Sequence, residues 1–174
     1  MNNLSSSPKE CEETLISWLY RKIYHKEPPY YCYYSLAIII GKPIRKWFSA
    51  VLIPTIPFNN LRVWCYRRCG YKIGKNTFIG MRCYLDDMCY DFIEIGDNVT
   101  ISYGVYFACH GRGQGHVKMV IKDGAYIGMR TSVVAHQKLG LIIGEKAIIG
   151  ANSLVIKSVP DGEIHAGVPA KRIK

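Results

Sequence analysis

Ile143-Gly144-Glu145-Lys146-Ala147-Ile148-Ile149-Gly150-Ala151-Asn152-Ser153-Leu154-Val155 is the stretch that decides how this chain folds. A large aliphatic residue returns every sixth position, at Ile143, Ile149 and Val155, and the small residues Ala147 and Ser153 follow at a fixed offset. An amphipathic helix needs a period of about 3.6, and a half-buried strand a period of about 2. A period of six describes short strands separated by turns. Each strand sends one large side chain inward, and each turn keeps one small residue at a crowded corner. Three hexads then close one triangular coil, and stacked coils share a continuous core.

The same pattern extends back to Ile73. Inward positions fall at Ile73, Ile79 and Leu85, at Ile95, Ile101 and Phe107, and at Ile121, Ile127 and Val133. The matching small positions are Thr77, Cys83, Val99, Val105, Ala125 and Thr131, with turn-friendly pairs such as Lys75-Asn76, Asp97-Asn98 and Asp123-Gly124 between. Successive coils start at Ile73, Ile95, Ile121 and Ile143, where a strict repeat would return every 18 residues; the extra residues all follow the third hexad. Every insertion therefore leaves at one corner. Insertions stacked on one side of a solenoid usually build its binding face.

Upstream of Ile73 the hexad is missing. Ser7, Pro8 and Glu10 predict the start of a helix over 7–24, with Leu15, Ile16, Leu19 and Ile23 on one face. Residues 30–56 read as helical pieces interrupted at Gly41-Lys42-Pro43 and ended by Pro54. Asn60 to Arg68 reads as a short basic helix stopped by Gly70. The expected organisation is a helical segment 1–72, a β-helix 73–160 with an insertion loop 113–120, and a tail 161–174.

The chain has 174 residues and a formal net charge of +10, enough for one cored domain with an appendage. Residues 1–72 contribute +7 of that charge, which suits phosphates, an acidic surface or an anionic membrane. No zinc-finger or aromatic RNA-reading motif is present, so nucleic acid is not the expected partner. The start is polar, so no signal peptide is expected. The seven cysteines lack metal-finger spacing and read as reduced core thiols of a cytoplasmic protein. The apolar runs Ser35–Ile40 and Trp47–Ile53 are too short to span a bilayer. They read first as helix packed on its own domain or on a partner subunit. Contact with the inner face of a membrane is the alternative.

Ile95-Gly96-Asp97-Asn98-Val99, the stretch 143–151 and the tail Ala166-Gly167-Val168-Pro169-Ala170-Lys171 resemble the hexapeptide-repeat acyltransferases. Within them the resemblance is to the maltose/galactoside and polysaccharide O-acetyltransferase branch. It implies a left-handed parallel β-helix of about four triangular coils, a homotrimer with sites between subunits, and acetyl-CoA as co-substrate. The acceptor it implies is a hydroxyl of a sugar or glycan precursor.

Transfer from a thioester to a hydroxyl needs a base, donors for the tetrahedral oxyanion, and an acid for the leaving thiolate. Histidine serves as base and then acid because it titrates near neutrality, and backbone N–H groups serve as oxyanion donors. His110 lies in the third hexad of the second coil, at the insertion corner beside Gly111, Gly113 and Gly115. It is the candidate catalytic base. His116, inside the loop, is the alternative, and His116 and His136 are otherwise candidate substrate contacts. Leu85-Asp86-Asp87 sits one coil earlier at the same corner, where a base would find an orienting carboxylate. The resemblance makes Asp87 the substrate contact, with Asp86 behind it. For coenzyme A it implies Ala151, Ile156, Lys157, Lys171 and Lys174, with Ile156 offering backbone only. The lysines would act as point charges on phosphate. No metal is expected. Two other readings stay open: a non-enzymatic scaffold, and a carbonic-anhydrase-like enzyme with zinc on His110, His116 and His136.

Overall fold

The computed structural model describes residues 14–33, 36–110, 116–135 and 140–173. Its backbone divides into two compact units, one up to Ile44 and one from Arg45 onward.

The second unit is a left-handed parallel β-helix with three sheets. The first face stacks β1 (Lys72–Ile73), β3 (Ile93–Ile95), β6 (Met119–Ile121) and β9 (Leu141–Ile143). The second stacks β2 (Phe78–Ile79), β4 (Thr100–Ile101), β7 (Tyr126–Ile127), β10 (Ile148–Ile149), β12 (Ile164–Ala166) and β13 (Lys171–Arg172). The third stacks β5 (Tyr106–Ala108), β8 (Ser132–Val134) and β11 (Leu154–Val155). Register follows the hexad: Ile79 pairs with Ile101, Ile101 with Ile127, and Ile127 with Ile149. Of the twelve inward positions, all but Ile73 are buried. All eight small positions, from Thr77 to Ser153, are buried too.

Two corners of each coil turn through a left-handed residue placed just before the small one: Asn76 and Arg82, Asn98 and Gly104, Gly124 and Arg130, Lys146 and Asn152. Glycine and asparagine tolerate that conformation best, which explains the turn-friendly pairs. Among the described residues the third corner shows no left-handed residue followed by a small one. It therefore takes insertions without breaking the stack.

The first coil would otherwise expose an unpaired strand edge. Helix α3 (Asn59–Arg68) covers it; in chain order it follows α1 (Leu15–Tyr24) and α2 (Leu36–Trp47). Asn59 Oδ1 accepts from the Ile79 N–H at 3.0 Å, and Asn59 Nδ2 donates to the Thr77 carbonyl at 3.2 Å. The buried Arg62 guanidinium donates to the carbonyls of Ile79 and Ile56. Tyr66 reaches the Cys83 carbonyl and Tyr71 the Leu85 carbonyl. Residues 45–72 thus belong with the coils, and the unit boundary falls at Ile44 rather than 72, because their side chains complete the first coil's hydrogen bonding. The tail is likewise built in: β12 extends the second sheet and β13 closes it antiparallel.

Two helix expectations are corrected. α1 begins at Leu15, because Thr14 is extended and forms a capping box with Ser17; Ser7, Pro8 and Glu10 lie outside the described residues. α2 runs through Gly41 and Pro43 without a break. Proline removes one N–H, and the bonds on either side carry the helix across. It continues as a π-type turn, Phe48–Leu52, and ends in a 3-10 turn at Ile53–Thr55. Trp47, Phe48, Val51 and Leu52 are exposed while Ser49 and Ile53 are buried, so this run packs on its own unit by one side only.

Candidate active site

The chain leaves the stack where the sequence places the insertions, after Leu85, after Phe107 and after Val133. After Leu85 the chain turns through Asp86 and Asp87 and a 3-10 turn at Tyr90–Phe92. The second insertion leaves at His110 and returns at His116, and an antiparallel bridge joins these two residues. Val117 N–H donates to the Cys109 carbonyl at 3.0 Å, pinning the neck of the loop.

Asp86 is the centre of this corner. Its side chain is fully buried, and its one partner among the described ion pairs is His110. Burying a carboxylate is costly unless donors surround it. Three do: Cys109 N–H at 2.8 Å and His110 Nδ1 at 2.5 Å on one oxygen, and Met88 N–H at 3.1 Å on the other. A carboxylate held by two backbone amides favours the His110 tautomer that carries its proton on Nδ1. Nε2 is then left as a lone-pair acceptor. The His110 side chain is 32% exposed, open enough to meet a hydroxyl. That is the arrangement of a general base with its orienting carboxylate.

Cys89 lies in the same cluster. Asp86, Cys89 and His110 each offer an atom within 4.8 Å of the others. Burial, and then the Asp86 charge, push the Cys89 thiol up to about 12, so it stays protonated at neutral pH.

Asp87 points elsewhere. Its Oδ1 accepts from the Tyr84 hydroxyl at 2.6 Å, and its Oδ2 lies 3.9 Å from Lys46 Nζ. The Tyr84 ring stacks on Tyr106 at 4.5 Å, and Tyr106 is 45% exposed. Burial, and then the bond to Asp87, raise the Tyr84 phenol well above its usual range, so it stays a donor. His116 is exposed and meets the Phe92 ring edge-on at 5.6 Å, with no carboxylate among its described contacts. His136 and Lys174 lie outside the described residues. Ala151 sits on a tight corner turn, directly over Gly128 of the previous coil. Ile156 and Lys157 follow β11, and Lys171 lies on β13; all three are exposed. His165 bonds Glu163 at 2.8 Å, and His25 is the left-handed cap of α1.

The structure therefore pairs His110 with Asp86 rather than Asp87. Tyr84, Tyr106, Lys46 and Cys89 were not legible as site residues. The only sequence signal for the tyrosines is their shared hexad position, which stacks Tyr84 on Tyr106.

Residues 71–107 and 119–160 match a family profile described as the hexapeptide repeat of succinyl-transferase. The putative acetyltransferase YvoF of Bacillus subtilis is 31% identical over 136 residues, covering 76% of this chain and 77% of that protein. Serine acetyltransferase of the same organism is 35% identical over 104 residues, covering 59% of this chain and 44% of that one. The chain spans less than half the length of such serine acetyltransferases. A hexapeptide-repeat acetyltransferase of Vibrio cholerae, solved in complex with acetyl coenzyme A, superposes with a TM-score of 0.62 at 23% identity. That match covers 80% of this chain and 90% of the other, and it establishes the fold.

Proposed function

Because the chain belongs to the hexapeptide-repeat acetyltransferase family, we propose that it transfers an acetyl group from acetyl-CoA to a hydroxyl, with His110 as general base. The observation that carries this reading is the His110–Asp86 pair at the insertion corner. His110 Nε2 takes the acceptor proton as the oxygen attacks the thioester carbonyl. The tetrahedral intermediate collapses by breaking the C–S bond, and the imidazolium returns its proton to the coenzyme A thiolate. Asp86 holds the ring and stabilises its charged form without itself being protonated.

The acceptor is a sugar hydroxyl in this reading. The stacked, half-exposed Tyr84–Tyr106 pair offers an apolar face, and Asp87 offers an acceptor for hydroxyl donors. A second reading, serine, is favoured by the serine acetyltransferases among the relatives and by Lys46 beside Asp87, a cation and an anion suited to an amino acid. Coenzyme A phosphates would lie by Lys157 and Lys171, with the turn at Ala151 offering backbone contacts. The assembly proposed is a homotrimer.

The test is thiol release from acetyl-CoA with a panel of sugars, nucleotide sugars and serine, beside His110→Ala. The expected result is acceptor-dependent turnover that falls by about 10²–10⁴ in the variant. Turnover that survives His110→Ala while His116→Ala abolishes it would transfer the role of base to His116.

A further inference from the structure

Residues 45–68 use one side to cap the first coil and leave the other bare. On α3, Arg62, Val63, Cys65 and Tyr66 are buried. Phe58, Leu61 and Trp64 are 71%, 47% and 52% exposed. With Arg68 they recur at three- and four-residue spacing, which places them in one stripe. The Arg68 guanidinium covers the Trp64 ring at 5.1 Å. The preceding turns show the same character: Trp47, Phe48, Val51 and Leu52 are exposed and follow directly on Arg45 and Lys46. Single exposed apolar residues are ordinary, but a run of this density is a patch that meets something.

Charge identifies the occupant. Residues 45–68 hold no acidic residue and five Lys and Arg, of which only Arg62 is buried. A second copy presenting the same face would set cation against cation. An anionic bilayer satisfies both features at once. Tryptophan and phenylalanine seat at headgroup depth, leucine and valine reach the acyl boundary, and the cations meet lipid phosphates. No described helix is long and apolar enough to cross a membrane.

We propose that residues 45–68 form a peripheral docking face for an anionic lipid bilayer, seated through Trp47, Val51, Leu52, Phe58, Leu61 and Trp64. Lys46 begins this face and lies 3.9 Å from Asp87. Docking therefore brings the insertion corner to the lipid surface. What is acetylated there depends on the acetyltransferase reading; the docking itself does not.

The test is sedimentation of the full chain with vesicles of phosphatidylcholine alone and with added phosphatidylglycerol. The expected result is binding to the anionic vesicles about tenfold tighter than to the neutral ones, weakened by salt. Leu61→Ser/Trp64→Ser and, separately, Trp47→Ser/Val51→Ser each weaken it by about tenfold. Circular dichroism and coenzyme A binding stay as in wild type. Wild-type chain that ignores anionic vesicles overturns the proposal, as does double-variant binding equal to wild type. So does a drop in oligomer mass in the variants, which would make the face a subunit contact. Tighter capture by single-stranded RNA than by vesicles, with loss of vesicle binding, also overturns it.

Discussion

Replacing Asp86 by asparagine is the sharpest probe of the candidate site. The side chain is fully buried, and its two oxygens accept from three N–H groups. Asparagine has one acceptor oxygen, so one position must now present an NH2. In one orientation the NH2 faces Met88 N–H, and the His110 tautomer is kept without the negative charge that stabilises imidazolium. In the other it faces Cys109 N–H and His110 Nδ1, which must then give up its proton to Nε2. Either way a buried amide meets a donor, costing about 1–3 kcal/mol of stability. Loss of the charge alone lowers kcat by about 10²-fold, and the tautomer switch by about 10⁴-fold. The assay is thiol release at saturating acetyl-CoA, with ¹⁵N NMR of the His110 ring to read which nitrogen carries the proton. A kcat within about threefold of wild type, with Nε2 still unprotonated, would refute the role assigned to Asp86.

Gly128→Ala would place a Cβ 2.5 Å from the backbone nitrogen of Ala151, forcing two coils apart; we expect a loss of about 1–3 kcal/mol by urea denaturation. Arg62→Leu leaves the Ile79 and Ile56 carbonyls without their donor, and a drop of about 2–4 kcal/mol should appear in the same measurement, with faster amide exchange in residues 53–60. The Cys89 thiol rises from its ordinary value of 9.0 to about 12 on folding. The unfolded chain therefore releases that proton first, and the stabilisation present below pH 9 is lost as pH climbs towards 12. The denaturation midpoint should fall across that window, and Cys89→Ala should make the fall shallower. Burial raises Cys109 and Tyr84 in the same direction, so some slope persists. Native-state alkylation read by mass spectrometry should spare Cys89 and Cys109 until the protein unfolds.

The β-helix was legible because its rule is local. A hexad such as Ile143 to Ala147 states its own strand, turn and corner, and each coil repeats the statement for the next. The insertion corner was legible for the same reason, since a departure from a strict period shows where the chain leaves the stack. The helices were harder to read. Thr14 caps α1, and α2 passes through Pro43, because a breaker is a preference of about 3 kcal/mol that surrounding bonds override.

Local rules also stop short of the site. Asp86 and Asp87 are neighbours of one type, and only folding separates them. The turn after Leu85 sends Asp86 inward, under His110 of the next coil and onto two backbone amides. It sends Asp87 outward to Tyr84 and Lys46. The capping of the first coil by Asn59 and Arg62 has the same origin, since a helix can satisfy an open strand edge only once that edge exists. The sequence by itself determined the repeat, the core and the corner at which chemistry gathers. The tertiary structure decided which carboxylate meets the histidine and which faces of 45–68 stay bare, because contacts between residues far apart in the chain are chosen by packing and hydrogen-bond satisfaction rather than by local spacing.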